Sequence, residues 1–218
     1  MLLNDTLYRF FLDNARKTKI EHLSIGLGYS AVTTSDGGIG LAGTYFDRKE
    51  TCSPGPDEDY EGMPATRLLK LIKSSNALER TMALALINAL NYKEALLLPE
   101  DSDNTVLCDT LDLREGKRVA MVGYFGPLVK LLNKKKSKLE IIDEWRHIGQ
   151  TQDFYHKLGD WAQVLIMTAT TIINNTTEEI FSHTGKNIRA AIIGPSTPMV
   201  SEPFKHLPVC MLAGTVPL

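Results

Sequence analysis

The residues that could do chemistry in this 218-residue chain fall into two groups of different character. The first is an acidic stretch carrying Asp47, Glu50, Cys52, Asp57, Glu58, Asp59 and Glu61. Carboxylates suit hard cations and a thiolate adds affinity for softer ones, so Cys52 with Asp47 and Glu50 could make a partial metal site. Their spacing fixes no geometry, and a solvated acidic loop is the preferred account of them. The second group is a set of glycine, proline, serine and threonine clusters: Gly123-Tyr124-Phe125-Gly126-Pro127, Thr168-Ala169-Thr170-Thr171, Asn174, Gly194-Pro195-Ser196-Thr197-Pro198 and Ala213-Gly214-Thr215. Such clusters bind through backbone groups and hydroxyls, which suits anions and carbonyl oxygens and suits bare heavy metals poorly.

Asp143 stands 20 residues beyond Gly123, the spacing at which an acid meets a ribose hydroxyl in dinucleotide-binding units. The glycine fingerprint itself is incomplete, because the third glycine of GxGxxG is missing. No nucleophile elbow, P-loop or HExxH occurs. His22, His147, His156, His183 and His206 are scattered, and no two of them stand at the i, i+4 spacing of a helical metal site. A chain with no evident nucleophile or base reads as a binder, with turnover left undecided.

These clusters acquire meaning from the elements that carry them. In the second half, short apolar runs alternate with helical segments, the pattern of a parallel sheet. Strands are expected at 118–122, 139–142, 164–167, 190–193 and 209–212, with helices at 127–135, 153–158, 177–183 and 201–205. Each hydroxyl-rich cluster then follows the carboxyl end of a strand, where open parallel sheets bind ligands. Thr176 with Glu179 reads as a capping box for the helix at 177–183.

The first half reads differently. A helix from Asp5 to Lys17, capped by Asn4, precedes a strand in which Leu23, Ile25, Leu27, Tyr29 and Ala31 alternate, predicting that this face is buried. Asp36-Gly37 predicts a hairpin whose second strand runs from Gly38 to Thr44. Pro64 opens a helix through Ile72, and a second apolar helix spans 75–92. The expected fold class is α/β: an α+β domain over residues 1–110, then a Rossmann-like domain with a mostly parallel sheet over 111–218.

A formal net charge of −2 gives no basic excess, so nucleic acid is not an expected partner. Cys52, Cys108 and Cys210 form no disulfide framework, and no apolar run is long enough for a membrane span. With no signal-peptide pattern in the first residues, the expectation is a cytoplasmic protein without a membrane partner.

The segments Gly38-Ile39-Gly40-Leu41-Ala42-Gly43-Thr44, Gly123-Tyr124-Phe125, Thr168 to Thr176 and Gly194 to Pro198 occur in the order found in one family. They resemble the prokaryotic putative heavy-metal-chelation family, in which an enolase-N-terminal-like domain precedes a Rossmann-like domain. The resemblance implies a site between the domains. It would bring Gly40 and Thr44 against Gly123, Tyr124, Phe125 and Gly126, against Thr168, Thr170, Thr171 and Asn174, and against Gly194, Pro195, Ser196 and Thr197. The family continues past the last strand with a further helix, whereas this sequence stops at Leu218; the last strand is then expected to be less covered, or covered by a partner chain. Three readings stay open. One is a protein that binds a divalent heavy metal or a metal-chelating small molecule. Another is a nucleotide or S-adenosylmethionine binder or transferase using Gly123–Pro127 and Asp143. The third is a non-enzymatic homodimeric assembly protein.

Overall fold

The computed structural model describes residues 2–46 and 58–218. Asp47, Glu50, Cys52 and Asp57 therefore lie outside the described residues. Helix α1 (Leu3–Ala15) buries Leu3, Leu7, Phe11 and Ala15, one apolar stripe at helical spacing. It begins and ends two residues earlier than expected, and Asn4 is not its cap. The Glu178 carboxylate accepts the Leu3 N–H instead, an acid placed where the helix dipole favours one. The Asn4 amide is thereby released to donate to Asn175 Oδ1 at 2.7 Å and to the Ile172 carbonyl at 3.3 Å.

Strands β1 (Ile20–Ile25), β2 (Tyr29–Thr34) and β3 (Ile39–Gly43) form an antiparallel sheet in the order β1-β2-β3. Two expectations are corrected here. The alternating segment is not one strand, because the chain reverses at Gly26–Gly28, where the Gly26 N–H donates to the Tyr29 carbonyl at 3.0 Å. The buried face of β2 carries Ser30, Val32 and Thr34, whereas Leu27 is 93% exposed at the turn. Burying hydroxyls is tolerable because each is bonded: Ser30 Oγ to Thr44 Oγ1 at 3.0 Å, and Thr34 Oγ1 to Asp36 at 2.8 Å. The Asp36-Gly37 turn pairs β2 with β3 as predicted.

Helix α2 (Ala65–Leu69) follows Pro64 and runs into a 3₁₀ turn at Lys70–Lys73. Helix α3 (Ala77–Leu90) is capped by Asn76, whose side chain accepts the Leu78 N–H at 2.8 Å. It lies so close to β3 that a Cβ on Gly40 would sit 2.1 Å from the Ala85 carbonyl oxygen and 2.2 Å from Ala89 N. After α4 (Tyr92–Ala95), helix α5 (Thr105–Leu111) occupies a stretch to which the sequence assigned no element. The Asp101 carboxylate makes this helix possible by accepting the N–H groups of Val106 and Leu107 at 3.0 and 2.9 Å.

The remaining elements are β4 (Arg118–Val122), α6 (Gly126–Lys134), β5 (Lys138–Ile142), α7 (Thr151–Asp160), β6 (Val164–Thr168), α8 (Thr170–Ile173), α9 (Thr177–Ser182), β7 (Arg189–Ile193) and β8 (Val209–Ala213). The five strands pair in parallel in the order β5-β4-β6-β7-β8. Apart from Arg118, Thr168 and Arg189 at their ends, the central strands β4, β6 and β7 are apolar, because helices cover both faces. On one face Leu165, Met167, Ala190 and Ile192 join the core of α1, α2, α3 and β2. On the other, Val119, Met121, Val164 and Ile166 pack with Leu107 and Leu111 of α5 and Leu128 and Leu132 of α6. The chain passes from β4 outward to β5 and then back to β6, so the strand order reverses between the carboxyl ends of β4 and β6.

Two local expectations differ. The segment at 201–205 contains only a 3₁₀ turn, Glu202–Phe204. The capping box at Thr176 does not form; Thr176 Oγ1 donates to Asn174 Oδ1, and the Glu179 carboxylate accepts from the Tyr155 hydroxyl. Among the described residues no helix is long and apolar enough to cross a membrane.

Candidate functional site

The antiparallel sheet meets the parallel sheet at the end of β3. The Gly43 N–H donates to Ser196 Oγ at 2.7 Å, which joins the hairpin to the loop after β7. Two asparagines of α3 and its C-terminus reinforce the seam. Asn88 Nδ2 donates to the Leu41 carbonyl at 2.7 Å and to that of Pro195 at 3.4 Å, and Asn91 Nδ2 donates to the Met199 carbonyl at 3.1 Å. Ser196 and Thr197 are both buried. Thr197 Oγ1 has no hydrogen-bond partner among the described residues. It borders a cavity of about 10 Å³ shared with Gly40, Asn88, Asn91 and Thr215, room for one water and for nothing larger.

At the end of β6, Thr168 Oγ1 and Thr170 Oγ1 lie 3.0 Å apart, both partly accessible. A side chain at Gly43 would touch Thr170 Cγ2 at 3.6 Å and Ser196 Oγ at 3.5 Å, so the three residues are neighbours. Thr171 differs from its neighbours: it is buried, donates to the Thr168 carbonyl at 2.9 Å and accepts from Thr177 at 3.0 Å. Asn174 is likewise engaged locally, accepting from the Thr176 N–H and hydroxyl. The loop is held from behind by Arg80, a buried arginine of α3 that donates from Nε to the Ile173 carbonyl and from Nη1 to the Ser74 carbonyl at 2.6 Å. Arg80 escapes sequence reading because a charge on an apolar helix ordinarily marks its solvated face.

The loop after β4 completes the edge. Gly123 has φ +85°, a conformation that favours glycine, and a Cβ there would lie 3.0 Å from Thr168 Cγ2. The Phe125 ring sits beside both Gly123 and Gly194. Gly126 begins α6, whose N-terminal end faces this loop with no side-chain cap. Asp143, at the end of β5, uses both carboxylate oxygens on backbone: Oδ2 accepts the Tyr124 N–H at 2.8 Å and Oδ1 the Arg146 N–H at 2.9 Å. Its side chain is 12% exposed, and its observed task is to tie the β4 loop to the β5 loop.

The structure thus brings together Thr44, Gly123, Thr168, Thr170 and Ser196 around the seam, while Gly40 faces α3 and Thr171 faces inward. Tyr45, Trp145 and Arg146, which the sequence reading left aside, also gather here beside the expected Tyr124. Tyr45 meets Trp145 edge to face with ring centroids 5.9 Å apart, and the Arg146 guanidinium lies over the Tyr124 ring at 5.1 Å. Among the described residues no group of three or more histidine, cysteine, aspartate or glutamate side chains could hold a metal ion. His183, for example, stacks on Tyr155 with centroids 4.1 Å apart. Two larger clefts lie elsewhere: about 310 Å³ between α1 and the α8–α9 segment, and about 490 Å³ along β8. Neither is lined by a site residue expected from the sequence.

Two family models match the chain, both described as putative heavy-metal chelation, one over residues 8–91 and the other, DUF364, over residues 106–218. The chain belongs to the DUF364 family. Its fold is similar to that of a DUF364 protein of unknown function from Pyrococcus horikoshii, with TM-score 0.78 and 25% identity over 97% of this chain and 87% of that one. A second DUF364 protein of unknown function, from Desulfitobacterium hafniense, gives TM-score 0.70 at 21% identity over 93% of this chain and 84% of that one. No curated protein matches. A small antiparallel sheet ahead of a five-stranded parallel sheet is the DUF364 architecture this chain shares.

Proposed function

We infer that this DUF364 protein binds a metal-chelating small molecule, free or as its metal complex, between an N-terminal unit of residues 1–110 and a Rossmann-like unit of residues 111–218. The observation that carries this reading is the Gly43–Ser196 hydrogen bond, which sets the hairpin on the carboxyl edge beside Thr168 and Thr170. The family description supplies the metal. The donor chemistry supplies the rest: hydroxyls and backbone groups match the oxygens of an organic chelator, whereas a bare heavy metal needs thiolate, imidazole or clustered carboxylate. The N-terminal end of α6 at the sheet's switch point adds a preference for negative charge.

A nucleotide or S-adenosylmethionine binder is the second reading, and the reversal of strand order between β4 and β6 favours it. Against it, the Asp143 oxygens that would take a ribose hydroxyl already accept two backbone N–H groups.

The test is the thermal midpoint of chelator-stripped protein with nickel or zinc alone, with organic chelators, and with preformed complexes. A ligand at 100 times its dissociation constant adds about 2.7 kcal/mol of stability. Chelators or their complexes should raise the midpoint, and Thr170→Val should abolish the rise by removing one hydroxyl without changing shape. Stabilisation by nucleotides alone would overturn the reading.

A further inference from the structure

We propose that Tyr45, Tyr124, Trp145 and Arg146 form the recognition rim of this same site and select a flat, conjugated anion over a flexible aliphatic one. The inference rests on the proposed site and names the class of molecule it takes. The four residues come from three different loops, after β3, β4 and β5, and they meet in two contacts, Tyr45 with Trp145 and Tyr124 with Arg146. Tyr45 lies two positions beyond Gly43, whose N–H marks the seam, and its own N–H donates to Thr81 Oγ1 at 3.3 Å. Tyr124 directly follows Gly123 in the loop that touches Thr168.

Single exposed aromatics are ordinary, whereas exposed apolar surface that is contiguous and rimmed by polar groups marks interaction sites. Trp145 is 57% exposed, Tyr124 38%, and the Arg146 side chain 61%. Their chemistry is specific. Aromatic faces and edges hold flat rings, and a guanidinium pairs a carboxylate through two parallel N–H groups while lying over a π-face. The framework beneath them is set before any ligand arrives, because Asp143 grips the backbone N–H of both Tyr124 and Arg146. A heteroaromatic carboxylate answers each of these features at once, and its oxygens can reach the hydroxyl edge behind the rim.

Two chelators separate this proposal from the general one. Pyridine-2,6-dicarboxylate and iminodiacetate offer the same donors, one nitrogen and two carboxylates, but only the first is flat and aromatic. Binding is read by titration calorimetry and by Trp145 fluorescence in a Trp161→Phe background, which leaves Trp145 as the remaining tryptophan. Pyridinedicarboxylate should bind at least about tenfold more tightly, a difference readily resolved by calorimetry, and should quench Trp145. Trp145→Ala and Arg146→Gln should each remove that advantage while leaving the thermal midpoint of the free protein in place. Equal affinity for the two chelators, or full-strength binding by both variants, would overturn the proposal. If Thr170→Val still abolished binding in that case, the site between the units would survive without its aromatic selectivity. If neither chelator bound at all, both readings would fall.

Discussion

The backbone N–H of Gly43 donates to the side-chain oxygen of Ser196 at 2.7 Å across 153 positions of sequence. This bond holds the end of the antiparallel hairpin on the carboxyl edge of the parallel sheet, where the hydroxyls of Thr168 and Thr170 also lie. Ser196→Ala leaves the Gly43 N–H without its acceptor at a buried seam. It should lower unfolding stability by about 1–3 kcal/mol, measured by denaturant titration. The same variant should weaken any ligand that stabilises the wild type.

Gly40 and Gly43 lie in one strand but meet different surroundings. A methyl group on Gly40 would enter the backbone of α3, 2.1 Å from the Ala85 carbonyl oxygen, whereas one on Gly43 would find ordinary contacts at 3.5 and 3.6 Å. Gly40→Ala should therefore cost about 1–3 kcal/mol or more, and Gly43→Ala distinctly less. Equal thermal midpoints for the two variants would contradict the close approach of β3 to α3.

Arg80 supports the β6 loop from behind. Arg80→Met keeps the aliphatic stem but removes the donors to the Ile173 and Ser74 carbonyls. A loss of about 2–3 kcal/mol is expected, the scale for hydrogen bonds from a charged group. Hydrogen exchange should show the loss of protection concentrated in residues 170–174.

Asp36 organises the hairpin turn. Partial burial raises its carboxyl, but hydrogen bonds from Thr34, Thr18 and Lys93, with the Lys93 charge, outweigh that and hold its pKa below the ordinary carboxylate value. A depressed pKa in the folded state contributes stability above the unfolded value, and that contribution is lost as pH falls through the folded one. The difference in midpoint between wild type and Asp36→Asn should be constant near neutrality and shrink below about pH 4.

The two described cysteines should differ in reactivity. Cys108 is buried in the α5 core, and that burial pushes its thiol pKa up, while Cys210 on β8 is exposed. Alkylation at mildly alkaline pH, followed residue by residue by peptide mapping, should modify Cys210 before Cys108, which should react only on unfolding.

The parallel sheet was legible because its strands are continuous apolar runs: β4 falls at 118–122 as read, and the other four differ by a residue at their ends. The glycine and hydroxyl clusters at the strand ends were legible for a related reason, whereas the place of the hairpin beside them came from the family resemblance alone. What stayed hidden depends on three-dimensional partners. Period-two alternation continued unbroken through the Gly26–Gly28 reversal, so the strand and its buried face were both misread. Helix α5 is short and relies on Asp101, a residue that reads equally well as part of a turn. Gly40 was expected at the site, whereas its missing side chain makes room for the backbone of α3, a neighbour only the fold supplies. Tyr45 and Trp145 are 100 positions apart in sequence, and only the fold makes them neighbours.

The central claim is that the hydroxyl-lined edge takes an organic chelator or its complex, and calorimetric titration of stripped protein tests it most directly. Nickel alone, pyridinedicarboxylate alone and the nickel complex would be titrated in turn into wild type and Thr170→Val. Saturable binding of the chelator or complex to wild type, lost in Thr170→Val, is the predicted result. Saturable binding of nickel alone, unchanged by Thr170→Val and abolished by Cys52→Ser, would contradict it and move the site to the acidic stretch.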